Sequence, residues 1–507
     1  MQTRSAGEWL AQGRALVLRG DAAAALVLFS KALIEHPGSV ELAHAEAGLL
    51  WQARRAPEAE ASLQALLERQ PDHVASAFLL AKILQEQGRM LAVETTLRSL
   101  FTHATADVGP LIQAIELLDD CGRKRAAADL VERAIEAGSN DPRLHAYAGM
   151  LDMQTGDFDL ARTRYAFALA HDARALEWQS AYGYATSKRY AQADDADFAM
   201  MREFLERPAL GDAERASVLF ALGKMSDDVG DHAQAATHLR EANRLVAANV
   251  DWSRKNWRRL VSARLDAKPL PANTVRTGDF MPIFIVGLPR SGTTLVAEWL
   301  ARHPCVCNRG ELNWIAHLAG EVARASKSAD ALMQAAATYR AQVRQDDTDA
   351  YGFIDKQPLN FLHVDLILAL FPYARIVHCR RNSRDTALSI WMQHFAGREQ
   401  AFAYDFEHIS AVLQADERLM GAARKRHPDS LREVRYEEFV RDPEAATRAL
   451  GEWIGLPAND WTALSDASRV ISTASAWQAR QPVHARSIGR WRAYAACVPE
   501  LLQFPDD

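Results

Sequence analysis

The sequence predicts an all-α helical repeat array followed by an α/β domain with a parallel sheet. The first half is rich in alanine and leucine and repeats every 34 positions, at Gly20, Arg54, Gly88, Gly122 and Gly156. The second half alternates short β-forming runs with helical patterns, which is typical of strands buried between helices. Because 507 residues are too many for one compact core, we expect two or more domains.

Each repeat places a bulky residue at the ninth position after its turn residue, and mostly small residues at the fifth and twelfth. The ninth positions hold Phe29, Leu63, Leu97, Val131 and Tyr165. Small residues let two helices cross closely, and a bulky one fills the groove to the next unit. The pattern resembles the tetratricopeptide repeat, a 34-residue pair of antiparallel helices. It fades after residue 173 and returns near residue 230, which indicates about six or seven helix pairs.

The resemblance implies that the array, predicted over residues 1–262, has a concave surface that binds a peptide or a protein. An array that serves only as a packing or dimerisation scaffold explains the pattern equally well. Residues 263–281 carry Pro269, Pro271 and Gly278 without a helical period, so we interpret them as a linker. The predicted α/β domain occupies residues 282–507.

Composition limits the possible partners and compartments. The net charge of −6 gives no general attraction for nucleic acid or an anionic membrane. Five scattered cysteines indicate a reducing compartment. We interpret Cys305 and Cys307 as two buried thiols, and we expect no metal. The amino terminus has no apolar run that suits a signal peptide or membrane anchor, so we expect a cytoplasmic protein without a membrane span.

The stretch IFIVGLPRSGTTL, residues 283–295, predicts a strand, a tight turn and a helix start. Backbone N–H groups at such a turn converge on an anion. The glycine spacing matches a nucleotide P-loop, but Thr293 stands where that motif has lysine, and Arg290 supplies a cation instead. The loop therefore indicates a phosphate site without the signature of a nucleoside triphosphatase.

PRSGTT after an apolar strand resembles the 5′-phosphosulfate-binding loop of sulfotransferases that use 3′-phosphoadenosine-5′-phosphosulfate (PAPS). Its arginine form is similar to that of tyrosylprotein sulfotransferases, and the resemblance spans residues 282–492. It implies a P-loop-like sulfotransferase domain with PAPS as the sulfuryl donor. The implied donor contacts in this loop are Arg290, Ser291, Gly292, Thr293 and Thr294.

Further segments carry the same resemblance. ARIVHCRRNSRDTALSIW implies that Arg381 and Ser389 bind the 3′-phosphate, although Gln393 stands where the family often has a basic residue. Arg384 and Asp385 fit a charged helix start on a solvated surface. Two further implied contacts are Tyr436, against the nucleotide or in packing alone, and Arg490, on a cofactor phosphate.

Sulfuryl transfer to a neutral hydroxyl needs a base and a cation at the leaving phosphate. The resemblance assigns Glu311 as the base, and Lys356 with Ser475 as the group that stabilises the leaving phosphate. Without it, Glu311 fits a loop carboxylate, and Lys356 fits a solvated loop lysine. His303 and His378 are weaker candidates for the base, as a helix-end residue and a residue within a strand.

We therefore expect a PAPS-dependent sulfotransferase that modifies an acceptor hydroxyl, with protein tyrosine as one hypothesis. Gly310 and Asn313 depart from the tyrosylprotein pattern, so a carbohydrate, lipid or small-molecule acceptor is the alternative. A third hypothesis is a repeat-based interaction scaffold with a degenerate transferase domain. The intact set of Arg290, Glu311 and Lys356 argues against it.

Overall fold

A computed structural model describes residues 4–103, 107–208, 210–272, 278–395, 397–458, 461 and 485–507. The chain forms two compact units. One comprises Met1–Ser139 and Ala341–Asp347, and the other comprises Asn140–Arg340 and Thr348–Asp507. The second unit therefore contains helices of the repeat array together with the α/β part. The linker predicted from composition stays a prediction.

The repeat helices of the first unit are α1 Ala6–Leu18, α2 Ala22–Glu35, α3 Val40–Gln52, α4 Ala56–Arg69, α5 Val74–Glu86, α6 Met90–His103, α7 Val108–Asp120 and α8 Lys124–Glu136. Many begin with a side-chain cap, such as Ser5 in a capping box and Asp21. The ninth-position Phe29 packs where Gly13 leaves room, since a Cβ at Gly13 would lie 2.1 Å from its ring. The predicted helical repeats are confirmed.

The second unit continues with α9 Pro142–Thr155, α10 Phe158–His171, α11 Ser180–Thr186, α12 Ala196–Leu205, α13 Asp212–Asp228, α14 His232–Asn249 and α15 Arg254–Leu265. The 3₁₀ helix Ala173–Leu176 and the short α11 and α12 lie where the period fades. In this unit too, a helix glycine stands opposite a bulky residue 16 positions later. A Cβ at Gly149 would lie 3.1 Å from the Tyr165 ring, and a Cβ at Gly223 would lie 2.7 Å from Leu239.

A five-stranded sheet forms the α/β part. Its strands are β1 Met281–Gly287, β2 Val306–Asn308, β3 Gly352–Asp355, β4 Arg375–Arg380 and β5 Leu431–Arg435. Their order is β2-β3-β1-β4-β5, and every pairing is parallel. Four β-forming runs of the sequence, IFIV, YGFID, ARIVHC and LREVRYEEFV, predicted β1, β3, β4 and β5. The sequence missed β2, which is only three residues long and has no periodicity to detect.

The helices around the sheet are α16 Thr293–Leu300, α17 Trp314–Arg324, α18 Ala329–Arg344, α19 Val364–Leu370, α20 Ser383–Trp391, α21 Phe406–Arg426, α22 Tyr436–Phe439, α23 Pro443–Ile454 and α24 Trp491–Tyr494. Shorter 3₁₀ helices are Pro358–His363, Arg398–Tyr404, Ala485–Ser487 and Pro499–Gln503. The central strands are buried on both faces, as parallel strands between helices must be. Their carboxyl ends lie at one edge of the sheet, because Gly287 pairs with Cys379 and Phe284 with Asp355.

The expectations from composition concerned membrane spans, metal-binding groups and the burial of two cysteines. No helix within the described ranges has the length and apolarity that a membrane span requires. In the same ranges, His, Cys, Asp and Glu side chains form no group of three or more that could hold a metal. Cys305 and Cys307 are free thiols but partly exposed, so the prediction that they are buried is wrong.

Candidate active site

The loop between β1 and α16 wraps back on itself at the carboxyl edge of the sheet. Gly287 and Gly292 have φ of 140° and 99°, which favour glycine, and Arg290 also has a positive φ of 71°. A Cβ at Gly287 would lie 2.4 Å from the Cys379 carbonyl oxygen. The Ser291 hydroxyl donates to the Leu288 carbonyl at 2.7 Å. The backbone thus turns sharply into the amino terminus of α16, as the sequence predicted.

Arg290 comes together with Arg381 and Ser389, which lie 91 and 99 positions later in the sequence. The Arg290 Nε donates to the Ser389 hydroxyl at 3.0 Å. Arg381 donates to the Arg290 carbonyl at 3.2 Å and to the Ser487 carbonyl at 2.6 Å. The Nε of Arg381 is buried and has no hydrogen-bond partner among the residues that the structure describes. The loop and the β4–α20 connection therefore form one site, which we call the cation cluster (Arg290, Arg381 and Arg490).

The cation cluster concentrates positive charge. Burial, and then the neighbouring charge of Arg381, lower the pKa of Arg290 to about 10. Burial also lowers the pKa of Arg381, and the charge of Arg490 acts on both groups in the same direction. Lowered pKa values mean that the charged guanidinium groups of Arg290 and Arg381 are held at a cost. An anion with several acceptor oxygens would relieve that cost and satisfy the free Nε of Arg381.

Tyr436 lies at the start of α22, against the loop. A Cβ at Gly292 would lie 2.7 Å from its ring, so this glycine allows close packing as well as the positive φ. The guanidinium carbon of Arg381 lies 4.9 Å from the ring centroid. Tyr436 is therefore a wall of the site, next to the arginine predicted to bind the 3′-phosphate.

Arg490 forms an ion pair with Asp227, at the end of repeat helix α13. The hydroxyl of Tyr494 also donates to Asp227, at 2.6 Å. A carboxylate of the repeat array thus holds one member of the cation cluster. The sequence offered no signal for this contact, because Asp227 lies far from every motif of the predicted α/β domain.

Other repeat helices hold the end of α20, the helix that carries Ser389. The Gln393 side chain donates to the Tyr182 hydroxyl at 2.7 Å. The Asn243 side chain donates to the Trp391 carbonyl at 3.0 Å. The His394 ring stacks on Phe220 with centroids 4.6 Å apart. Gln393, which stands where the resemblance led us to expect a basic residue, thus anchors this helix end to the array.

Glu311 and Lys356 meet at the ends of β2 and β3. The Lys356 ammonium donates to a carboxylate oxygen of Glu311, and the Lys356 N–H donates to the Gly310 carbonyl at 2.8 Å. Lys356 is 1% exposed, so its interpretation as a solvated loop lysine is wrong. The strand end buries its stem and leaves the ammonium on Glu311, whose side chain is 32% exposed. A buried cation and an accessible carboxylate thus lie side by side.

Asp355, which the sequence did not single out, supports this strand end. It accepts from the Tyr339 hydroxyl at 2.8 Å and from the Gln357 N–H at 3.1 Å. Burial raises the pKa of the Asp355 carboxyl to about 7, although these hydrogen bonds oppose the rise. It fixes the backbone that follows Lys356.

The interpretation of Arg384 and Asp385 as solvated is also wrong. Asp385 is 1% exposed and accepts from the N–H groups of Gly489 at 2.6 Å and Trp491 at 2.9 Å. Arg384 lies over the Trp491 ring and donates to the Phe504 carbonyl at 2.9 Å. A late segment of the chain covers this helix start, which no local pattern could show.

Two histidines and one serine complete the predicted set. His303 is buried, lies just after α16 and contacts the Pro457 carbonyl at 3.1 Å, so it is the expected helix-end residue. His378 is buried in β4, and its Nε2 lies 3.0 Å from the Asp416 carboxylate. Ser475 lies outside the described residues.

Comparisons with known proteins agree with this architecture. Residues 282–460 match the model of the Sulfotransferase family, and residues 16–83 match that of the tetratricopeptide repeat. Residues 282–460 therefore resemble a sulfotransferase domain, and the helical repeats resemble tetratricopeptide repeats. An uncharacterized protein of Aquifex aeolicus (strain VF5) is 26% identical over 460 residues, 86% of this chain. The match spans only 55% of that relative.

Solved structures with similarity include both classes. The sulfotransferase domain of the Synechococcus PCC 7002 olefin synthase is 18% identical, with a TM-score of 0.33, covering 46% of this chain and 96% of that one. Sulfotransferase STF9 from Mycobacterium avium is 15% identical, with a TM-score of 0.27, covering 62% and 96%. YrrB, a tetratricopeptide protein with an unusual peptide-binding site, is 17% identical, with a TM-score of 0.26, covering 41% and 96%.

Proposed function

We propose that the chain is a PAPS-dependent sulfotransferase that transfers a sulfuryl group to an acceptor hydroxyl. The observation that carries the proposal is the cation cluster, in which Arg290 contacts Ser389 and the buried Nε of Arg381 has no partner among the described residues. It lies at the carboxyl ends of parallel strands, where ligands of open α/β sheets bind. It also lies largely within the segment that matches the Sulfotransferase family.

Each end of the donor would meet its own group of residues. The loop of residues 287–294, with Arg290, would hold the 5′-phosphosulfate through backbone N–H groups and hydroxyls. Arg381 and Ser389 would hold the 3′-phosphate, with Tyr436 against the nucleotide. Arg490 adds positive charge, and Asp227 keeps it beside the site. The chain's negative net charge makes this local field necessary.

The transfer is an in-line displacement. The acceptor oxygen attacks sulfur, the bond from sulfur to the bridging oxygen breaks, and that oxygen leaves with the 5′-phosphate and its new negative charge. Lys356 would stabilise that charge, and Ser475 is the second residue proposed for this role. Glu311 would take the hydroxyl proton, since one of its oxygens binds Lys356 and the other has no hydrogen-bond partner among the residues that the structure describes.

The acceptor, the partner and the compartment belong to the same proposal. A tyrosine presented by a protein bound to the repeats is one candidate acceptor. A carbohydrate, lipid or small-molecule hydroxyl is the other. We propose a cytoplasmic location from the free cysteines. An interaction scaffold with a degenerate domain is disfavoured, because the Glu311–Lys356 pair and the cation cluster are both assembled.

Calorimetry with adenosine 3′,5′-bisphosphate tests the donor site. We expect the wild type to bind, and Arg381→Ala to weaken binding by about 2 kcal/mol, or roughly 30-fold, because a charge-assisted contact is lost. Arg375→Ala is the matched control. It removes an arginine from the other end of β4, where the guanidinium contacts the Asp429 carbonyl. No binding by the wild type would contradict the assignment.

Glu311→Gln tests the base separately. We expect kcat to fall by roughly 10²–10⁴-fold while the affinity for the bisphosphate stays unchanged. Single-turnover assays with labelled donor measure the first quantity, and calorimetry measures the second. Full turnover by Glu311→Gln would remove the proposed base but would leave the donor site in place.

A further inference from the structure

Hydrogen-bond acceptors cluster beside Glu311, on residues that the proposed mechanism does not use. The Gln357 side-chain nitrogen donates to the Asn313 side-chain oxygen at 2.9 Å and to a Glu399 carboxylate oxygen at 3.4 Å. Gln357 follows Lys356 directly, and Asn313 is two positions after Glu311. We call Glu311, Asn313, Gln357 and Glu399 the acceptor subsite.

The Gln357 amide is the unusual member of this subsite. Its residue is only 6% exposed, and its side-chain oxygen is buried without a hydrogen-bond partner among the described residues. The carboxylate of Glu399 fixes the amide's orientation, because an oxygen in place of the nitrogen would face another acceptor. Asp355 fixes the backbone of the same residue. A buried, unsatisfied carbonyl in a polar cluster calls for a ligand that donates a hydrogen bond.

The charge of the subsite points to the same kind of ligand. Burial, followed by the nearby charge of Glu311, raises the pKa of the Glu399 carboxyl. The negative charge of Glu311 therefore opposes the ionisation of Glu399. Since Lys356 already pairs with Glu311, Glu399 is the carboxylate that leaves the subsite electronegative. An incoming carboxylate or sulfate would be repelled there, whereas a hydroxyl could donate to the same oxygens.

We propose that the acceptor subsite selects a neutral polyhydroxylated acceptor, as in a saccharide, in which hydroxyls next to the reacting one donate to Gln357 and Glu399. The proposal rests on the sulfotransferase function. A tyrosine phenol has one hydroxyl and no neighbouring donor on its ring, so it would leave the Gln357 carbonyl unsatisfied. Acidic residues flanking such a tyrosine would also face Glu399. The subsite thus favours one of the two acceptor classes left open by the donor site.

The test is a competition between two probe classes on the full chain, with labelled PAPS. One probe is a panel of neutral disaccharides, and the other is a tyrosine peptide flanked by glutamates. We expect kcat/KM for the best saccharide to exceed that for the peptide by at least about tenfold. Transfer to the peptide in preference to the saccharides, or no transfer to any saccharide, would overturn the proposal.

Glu399→Gln tests whether the acceptor subsite causes the preference for saccharides over the peptide. We expect it to reduce the saccharide-to-peptide ratio of kcat/KM by about tenfold, with unchanged affinity for adenosine 3′,5′-bisphosphate. Glu407→Gln is the matched control, because its 66% exposed side chain pairs with Arg254 instead. An unchanged ratio in Glu399→Gln would also overturn the proposal. Failure of the wild type to bind the bisphosphate would instead contradict the proposed function itself.

Discussion

The repeat helices before residue 139 and those after residue 140 follow one sequence rule but have different surroundings. In α4 the buried residues are Ala59, Leu63 and Leu66, which form a single face. In α13 every residue of 216–223 is buried, so the helix is covered on all sides. This helix packs against α11, α12 and α14, and it also contacts the α/β part through Phe220 and Asp227. A repeat period therefore predicts how helices pair, and leaves open what covers their outer surface.

The largest expected effect comes from breaking the ion pair at the end of α13. Asp227→Ala leaves Arg490 without its carboxylate and the Tyr494 hydroxyl without its acceptor. We expect the free energy of unfolding to fall by about 3 kcal/mol, because a partly buried charge and a hydroxyl lose their partner together. Urea unfolding followed by circular dichroism measures the change.

The first unit supplies the matched control. Asp129 also pairs with an arginine, Arg98, but its side chain is 53% exposed. Asp129→Ala should therefore cost less than about 1 kcal/mol. Equal losses in the two variants would contradict the idea that α13 has become part of the second unit's core.

The second effect depends on pH and tests the contact between Phe220 and His394. Burial lowers the pKa of His394 to about 4. Below pH 6.5 the unfolded chain binds a proton that the folded chain does not, so stability falls as the pH falls from about 6.5 towards 4. At pH 5 the loss from this group is about 2 kcal/mol. Tyr182 also faces the ring, and its pKa is raised to about 12, so it stays neutral across this range.

His394→Phe should keep the stacking on Phe220 and remove the titration. We expect the variant to lose less stability than the wild type between pH 7 and pH 5, by about 1–2 kcal/mol. Urea titrations at the two pH values measure the difference. His317→Phe, which changes a side chain that is 59% exposed, should leave the profile unchanged. If the wild type and His394→Phe lost the same stability between pH 7 and pH 5, protonation of His394 would make no contribution to the pH dependence.

The sequence predicted the fold class because the evidence for it is periodic or local. A 34-residue spacing defines helix pairs, and apolar runs next to glycines define strands. The resemblance to sulfotransferases also named Arg290, Arg381 and Ser389, and the structure brings these three residues together at the carboxyl edge of the sheet. The sequence misread Arg384 and Asp385 as solvated, and the alternative that it left open for Lys356, a solvated loop lysine, was also wrong.

Those errors have one physical cause, which is that burial depends on residues distant in the chain. Asp385 is covered by N–H groups more than a hundred positions later, and Arg490 is held by a carboxylate of the repeat array. Polar side chains carry no periodic signal for such contacts. A hydrophobic face can be found from spacing, but the partner of one buried charge cannot.

The smallest expected effect tests a feature that both halves share, a helix glycine that lies 16 positions before a bulky residue on the next helix. Gly223 lies 16 positions before Leu239, as Gly13 does before Phe29, and a Cβ at Gly223 would lie 2.7 Å from the Leu239 branch carbon. We expect Gly223→Ala to lower the free energy of unfolding by about 1 kcal/mol, because overpacking exceeds the gain in helix propensity.

Gly48→Ala is the control from the first half. Gly48 lies inside α3, where an added Cβ would meet no atom of another helix closer than 4.0 Å, so alanine should stabilise the helix by about 0.5–1 kcal/mol. The two substitutions are chemically identical and both lie in helices, yet we expect opposite signs in the same urea titration. If both stabilised the chain, the close approach of α13 and α14 at Gly223 would have to relax without loss. The glycine would then be a dispensable feature of the repeat.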